Sequence, residues 1–349
     1  MMLFLRNLFR KSTVRRVDGR YGALKVALIA DELTTASLSV ECQIRNLTPQ
    51  NAVEVLRTWR PDLLFVESAW HGYRNAWKYQ LASYDGFPNR NNRNLKKTLD
   101  AAAALQIPSV FWNKEDGVHY ARFIDTASLF ENVFTVDEGC LERYKLDLPS
   151  YNHVGTLMFS VQPRFHYLLD GKPTQRGFGC FVGSYGTHVH ARRRYWQNML
   201  FEMVAPYGLH IYDRNYRRKA QCYRYPVMPG LKVYRGVPHP ETAQVYRSYR
   251  VNLNVNTVEN SSTMYSRRLA EILAVGAVAV TTPSLAAHQL FSDYCFIVNT
   301  PEELAAVLEE VKGSGYSKAQ ERAHHGADMI ARHHTWEQRL AQIECLGLF

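Results

Sequence analysis

Short apolar runs alternate with amphipathic stretches along most of the chain, in two successive series. No other feature narrows the possible folds as much. LKVALIA, from Leu24, is a short apolar run apart from Lys25, as expected of a parallel strand covered on both faces. Thr48 or Asn51 offers a cap for a helix carrying Val53, Val55, Leu56 and Trp59, and Pro61-Asp62 leads into the strand LLFVES. YDGFPNRNNRN, rich in Asn and Gly, reads as a loop. The helix LKKTLDAAAALQ, the strand IPSVFWN, the helix–strand unit ASLFENVFTVD and the helix EGCLERYKLD follow. This βαβα rhythm predicts a doubly wound α/β sheet.

A segment mixing Pro, Gly and charge near residues 160–176 reads as a linker, and a second series begins after it. GFGCFVGSY is a strand entering a Gly-Ser turn, ARRRYWQNMLFEMVAPYG a helix ending at Gly208, and LHIYD a strand. PETAQVYRSYR and VNLNVNTV read as helix and strand, and SRRLAEILAVG as a helix closed by Gly276. AVAVTT and CFIVNT are strands, Pro301 opens another helix, and the C-terminus reads as two helices. At 349 residues the chain exceeds what one core usually supports. The expected organisation is a basic amphipathic segment (1–20), two Rossmann-like domains (21–160 and 161–330) and a C-terminal helix (331–349) packing back on the first domain.

Lys and Arg number 42 against 32 Asp and Glu, a net charge of +10 that favours anionic partners such as nucleic acid, a membrane surface or phosphorylated ligands. Six scattered cysteines without a C-x-x-C pair exclude a zinc ribbon and argue for reduced thiols. No apolar run is long enough to span a bilayer. Arg6 and Arg10 interrupt the N-terminal apolar residues, so the segment is not read as a signal peptide. Leu3, Phe4, Leu5, Leu8 and Phe9 beside Arg6, Arg10, Lys11, Arg15 and Arg16 form a stripe suited to an anionic membrane surface. The expected location is cytoplasmic, with peripheral contact at the inner face of the membrane.

In open α/β sheets, ligands bind beyond the carboxyl ends of the strands. In the first series that rule selects Asp31, Glu32, Glu67, His71, residues 112–116 and Asp137. In the second it selects Gly183-Ser184-Tyr185, Asp213, Arg214 and residues 256–268. VGSYG is a short turn into a helix, which suits a phosphate, and Arg192, Arg193 and Arg194 follow it. His188 and His190 lack a third ligand, so no metal is expected. In ENSSTMYSRRLAEILAVGAVAVTTP a loop of small hydroxyl residues runs into a helix carrying Arg267, Arg268 and Glu271. Glu271 is either an exposed helix acid paired with an Arg or a carboxylate accepting two hydrogen bonds from a ribose diol.

Glu271-Ile-Leu-Ala-Val-Gly276-Ala-Val-Ala-Val, followed by Thr-Thr-Pro, resembles the nucleotide-sugar motif of GT-B glycosyltransferases. The fuller string SSTMYSRRLAEILAVGAVAVTTP is most similar to the spore-maturation-protein CgeB-like group, as are IPSVFWNKEDGVHY, NVFTVDEGCLERY and CFVGSYGTHVHARRRYW. The resemblance implies two Rossmann-like domains facing a cleft, the first receiving the acceptor and the second a nucleotide-activated sugar. No cofactor or bound metal is implied, because helix N-termini and basic side chains neutralise the diphosphate. Glu271 matches the glutamate that holds the ribose. Gly183, Ser184, Tyr185, Arg193, Arg214, Ser262, Thr263, Met264 and Arg268 are the other expected donor contacts. Retaining members of the superfamily carry another glutamate eight positions before Glu271, where this chain has Thr263.

An inverting reaction needs a base. Asp116, Glu115, Glu67 and Asp31 are candidates, with Asp116 preferred because FWNKEDG sets acids in a loop facing the cleft; Glu115 and Lys114 also read as a local ion pair. The basic and aromatic stretch from Tyr212 to Tyr234 fits a cleft wall better than a nucleic-acid footprint. The expected function is transfer of a sugar to a hydroxyl of a glycan, lipid-linked or other envelope-type acceptor, with no nucleic-acid partner. A non-catalytic sugar-nucleotide or glycan-binding protein is the alternative.

Overall fold

A computed structural model describes residues 17–171 and 174–349. The amphipathic stripe of residues 1–16 lies outside the described residues.

The first half contains β1 (Lys25–Ile29), α1 (Glu32–Leu38), β2 (Gln43–Asn46), α2 (Ala52–Trp59), β3 (Leu63–Glu67), α3 (Arg93–Ala104), β4 (Ser109–Asn113), α4 (Tyr120–Ala127), β5 (Asn132–Thr135), α5 (Leu141–Asp147) and β6 (His153–Thr156). Its strands form one parallel sheet in the order β2-β1-β3-β4-β5-β6. β3 is buried along its whole length, and its four apolar residues Leu63 to Val66 suit a strand covered by helices on both faces. The chain reverses its direction of travel across the sheet between β1 and β3, and this switch point opens a crevice at their carboxyl ends.

The second half contains β7 (Gly177–Gly183), α6 (Ala191–Val204), β8 (Leu209–Asp213), β9 (Leu231–Arg235), α7 (Thr242–Arg247), β10 (Tyr249–Asn254), α8 (Arg267–Ala274), β11 (Ala279–Thr281), α9 (Leu285–Phe291), β12 (Phe296–Ile297), α10 (Pro301–Lys312), α11 (Tyr316–His333) and α12 (Trp336–Glu344). Its parallel sheet runs β9-β8-β7-β10-β11-β12, the strand order of dinucleotide-binding domains. Here the switch point lies between β7 and β10. The fold is therefore the expected one: two doubly wound α/β domains facing each other, with a helical C-terminus.

β9 was not anticipated, because LKVYR sits within the basic, aromatic stretch and is an edge strand that needs only part of its surface buried. Gly276 closes α8 with φ of 67°, in the left-handed region, and an added methyl group would overlap Leu168 and His324.

The chain crosses between domains twice, and the crossings lie side by side. Val161 N donates to His334 O at 2.8 Å, and Trp336 N donates back to Val161 O at 3.2 Å. The Arg339 guanidinium is 2% exposed and ties α12 to the first crossing through Met158 O at 2.8 Å and Phe159 O at 3.2 Å. After the second crossing Trp336 packs edge-on against Phe65 and Trp112 of the first domain, with ring centroids 6.4 and 5.5 Å away. Aromatic pairs of this kind contribute about 1 kcal/mol each beyond area burial. All six cysteines are free thiols. No helix of the described residues is long and apolar enough to cross a membrane.

Candidate active site

The carboxyl ends of both sheets open into one interdomain cleft with two connected parts. A wide part of about 1000 Å³ runs between the domains, and a cavity of about 670 Å³ extends into the second domain. Lys114, Glu115, Arg193 and Arg214 line both, so they mark the junction.

The cavity is strongly cationic. Arg268, in the first turn of α8, donates to Val182 O and to Asn254 Oδ1, so its guanidinium lies across the β7–β10 switch point. Gly183 permits this approach: a Cβ there would lie 2.7 Å from the Arg268 guanidinium. Arg193 Nη1 donates to Thr257 Oγ1 at 2.9 Å, and Arg214 Nη2 reaches Ser184 Oγ at 3.4 Å. Among the described residues none of these three arginines has a carboxylate ion pair. Burial, together with Arg268 and Arg214, pushes the Arg193 guanidinium down to about 10. Burial also lowers Arg268.

Two helices start at this cavity, α6 and α8. Neither has a side-chain cap or an acid in its first turn, and α8 opens with two arginines. Helix starts ordinarily attract carboxylates, so clustered cations and uncapped N–H groups together make an anion site.

Glu271 lies deeper in the same cavity and is 5% exposed. His239 Nε2 lies 2.8 Å from Oε1, the Tyr246 hydroxyl donates to Oε2 at 3.2 Å, and Arg267 Nε is 3.6 Å away. Burial pushes this carboxyl up, but the hydrogen bond and field of His239, with His166 and Arg267, hold it down at about 2. His166, His239 and Glu271 are also the one group of three among the described residues with metal-ligand spacing, their ligating atoms lying within 4.8 Å of one another. The fit to a cation is poor, since the Arg267 guanidinium already stands 3.6 Å from this carboxylate.

On the first domain, Lys114 is clamped between Glu67 Oε1 at 2.6 Å and Asp31 Oδ2 at 3.0 Å, above the β1–β3 switch point. Asp31 lines the wide cleft, accepts from the backbone N–H groups of His71 and Gly72, and is held below the usual carboxylate range. For Asp31, burial acts upward and is outweighed by Lys114 and those donors. Glu67 is fully buried beneath it. The ion pair envisaged between Lys114 and Glu115 is not formed; Lys114 pairs with the other two acids.

Asp116 requires a correction as the preferred base. It has no exposed surface, and its carboxylate accepts from Asn113 Nδ2 at 2.8 Å, Thr135 Oγ1 at 2.7 Å and the Tyr144 hydroxyl at 2.8 Å. It anchors the loop from beneath. Burial pushes it up to about 7 against the Thr135 and Tyr144 hydrogen bonds. Its neighbour Glu115 is half-buried at the junction, and its carboxylate has no hydrogen-bond or ion-pair partner among the described residues.

Gly183, Ser184, Arg193, Arg214, Met264, Arg268 and Glu271 come together around the second-domain cavity, and Tyr185 lies in the wall of the wide cleft. Ser262 and Thr263 do not join them. Thr263 Oγ1 donates to Val136 O at 3.0 Å and accepts from Glu138 N at 2.9 Å, and Ser262 bonds the Glu138 carboxylate. These hydroxyls fasten the two domains together. His239 and Tyr246 escaped the sequence reading: His239 follows β9, the strand that was not anticipated, and Tyr246 lies within α7.

Residues 192–344 match the family described as "Glycosyl transferase-like". The whole chain is similar in structure to an alpha-glucosyltransferase in complex with UDP-glucose and DNA containing an abasic site, at TM-score 0.61 and 10% identity over 93% of this chain and 99% of that one. It is also similar to Anabaena HepE in complex with UDP and glucose, at 0.55 and 12% over 93% and 91%. A third likeness is to the sucrose-phosphate synthase of Thermosynechococcus elongatus, at 0.52 and 10% over 93% and 98%. At such identities these likenesses concern the fold. No curated protein matches the chain in sequence. The fold is that of GT-B glycosyltransferases, and residues 192–344 carry the likeness to the glycosyl transferase-like family.

Proposed function

We propose that the protein transfers a sugar from a nucleoside diphosphate donor to an acceptor hydroxyl, with inversion and without a divalent ion. The observation that carries this reading is the set of three arginines without carboxylate partners among the described residues, beside two uncapped helix starts and a buried ionised glutamate. Arg193, Arg214 and Arg268 take the diphosphate, and Glu271 accepts from the ribose hydroxyls. The negative charge that develops on the leaving diphosphate is met by fixed cations, which is what a departing group needs in the transition state.

Glu115 is the proposed base. It takes the proton of the acceptor hydroxyl while that oxygen bonds to the anomeric carbon and the carbon–phosphate oxygen bond breaks. Thr263 occupies the position where a retaining enzyme would hold its second glutamate, and its hydroxyl is spent on the other domain, which supports inversion. The motif strings favour a place near the CgeB-like group. Residues 1–16 supply a basic amphipathic segment for an anionic membrane surface, which fits an envelope-type acceptor at the inner face.

Isothermal titration of the full chain with UDP, GDP, ADP and dTDP, and with their glucose conjugates, tests the donor reading. UDP comes first because two structural neighbours hold uridine diphosphate compounds. Absence of binding to every nucleotide would overturn it. A binding role without transfer is the rival; donor affinity without sugar release or transfer would favour it.

A further inference from the structure

Charge is sorted across the wide cleft. The second-domain wall presents Arg193, Arg214 and Arg218. The first-domain wall presents Asp31, Glu32 and Glu115, and its one Lys or Arg among the described lining residues, Lys114, is already held by two carboxylates. The net charge of +10 therefore does not describe this wall, which repels polyanions at short range.

The same wall carries Trp70, on the loop after β3. Three rings brace its indole edge to face: His119 at 5.1 Å, Phe123 at 5.1 Å and Tyr84 at 6.3 Å between centroids. Trp70 is only part-buried, and its indole N–H has no protein acceptor among the described residues. A fixed aromatic ring beside carboxylates whose oxygens only accept hydrogen bonds is complementary to one chemistry. The C–H face of a pyranose ring covers an aromatic surface, and its hydroxyls donate to the acids. Phosphate, sulfate and uronate groups have no counterpart on this side.

We infer that the acceptor is an uncharged saccharide, seated on Trp70 with hydroxyls directed to Asp31 and Glu115. As a statement about the acceptor this rests on the proposed function; as a statement about binding it stands on the wall itself. The glycan and lipid-linked alternatives thereby narrow to those presenting a neutral sugar at the cleft.

The test uses the full chain, with and without saturating UDP, titrated with neutral oligosaccharides (maltoheptaose, cellopentaose, chitopentaose and mannopentaose) and with oligogalacturonate and a DNA oligonucleotide. Calorimetry and tryptophan fluorescence report binding. At least one neutral oligosaccharide should bind about tenfold or more tighter than the anionic oligomers. Trp70→Ala should lose about tenfold in that affinity, Trp70→Phe should keep most of it, and both should hold UDP as the parent does. Preference for an anionic oligomer, no neutral saccharide binding at millimolar concentration, or saccharide affinity unaffected by Trp70→Ala would each overturn the inference. Failure of UDP to bind would instead count against the donor reading, and the saccharide titrations without UDP would still decide this one.

Discussion

His239 Nε2 lies 2.8 Å from Glu271 Oε1, and this contact helps keep the acid at the base of the second-domain cavity ionised. A carboxylate that is 5% exposed would by burial alone tend to stay protonated; with His239, His166 and Arg267 beside it, it titrates at about 2. Its two oxygens each spend one lone pair, on His239 and Tyr246, and keep others for a ligand. Glu271→Gln should therefore fold and weaken nucleoside diphosphate binding. Loss of a charge-assisted hydrogen bond costs about 1.5–3 kcal/mol, or about ten- to a hundredfold in affinity. Calorimetry on a variant with parental circular dichroism checks this, and unchanged affinity would remove the ribose role.

Arg193 makes a second prediction, in which binding and stability move apart. Its neighbours Arg268 and Arg214 repel it, and it is depressed to about 10 by burial first and by them second. Arg193→Gln should lower nucleoside diphosphate affinity about tenfold or more while leaving the unliganded melting temperature level or higher, because a like-charge contact is relieved. The salt dependence of binding should also become shallower. A loss of melting temperature with intact affinity would make Arg193 a structural residue.

How far the sequence reveals this arrangement depends on the range of the interaction. β3 is legible because burial on both faces leaves the apolar run LLFV, and Glu271 because it follows a loop of small hydroxyl residues into a helix that Gly276 closes. Asp116 and Glu115 are adjacent in one loop, and only the positions of Thr135 and Tyr144 decide which carboxylate is drawn inward. Ser262 and Thr263 look like donor contacts by position, yet their partners lie 124 to 127 residues away in the other domain. No periodicity encodes a contact of that range. His239 belongs to the same category, being placed against Glu271 by the packing of α7 and α8.

Glu115→Gln should abolish turnover and spare donor binding. The carboxylate stands at the junction of the two parts of the cleft with no protein partner among the described residues, so it is available to an acceptor hydroxyl. A positioned general base contributes roughly a hundred- to ten-thousandfold to rate, and an amide cannot replace it. Because no internal contact is lost, the melting temperature should change little. Turnover within a few-fold of the parent would return the role to Asp31, another acid lining the first-domain wall.

Asp116 should act through stability, with a sign that distinguishes it from a catalytic acid. Its folded value of about 7 lies above its ordinary 3.8, raised by burial, so between those values the native state holds a proton that the unfolded chain releases. In that window Asp116 lowers stability as pH rises, by up to about 1.4 kcal/mol per pH unit. Two buried histidines act in the opposite sense. His166 is depressed by burial from 6.5 to about 4, and His334 by burial and then Arg339 to about 3. Below 6.5 the unfolded chain protonates both while the native state does not, so each raises stability as pH rises through that range. Between about pH 4 and 6.5 the acid cancels one of the two histidine contributions. Asp116→Asn removes the cancelling slope, so its stability should climb more steeply across this window, by about 1.4 kcal/mol per pH unit more than the parent. The variant should lose ground at pH 4.5, and the gap should close towards pH 6.5. Chemical denaturation at several pH values measures both slopes on folded protein, independent of any constant cost of replacing the hydrogen bonds to Thr135 and Tyr144. Parallel slopes would mean that Asp116 is ionised throughout, and that burial beneath the loop does not hold its proton.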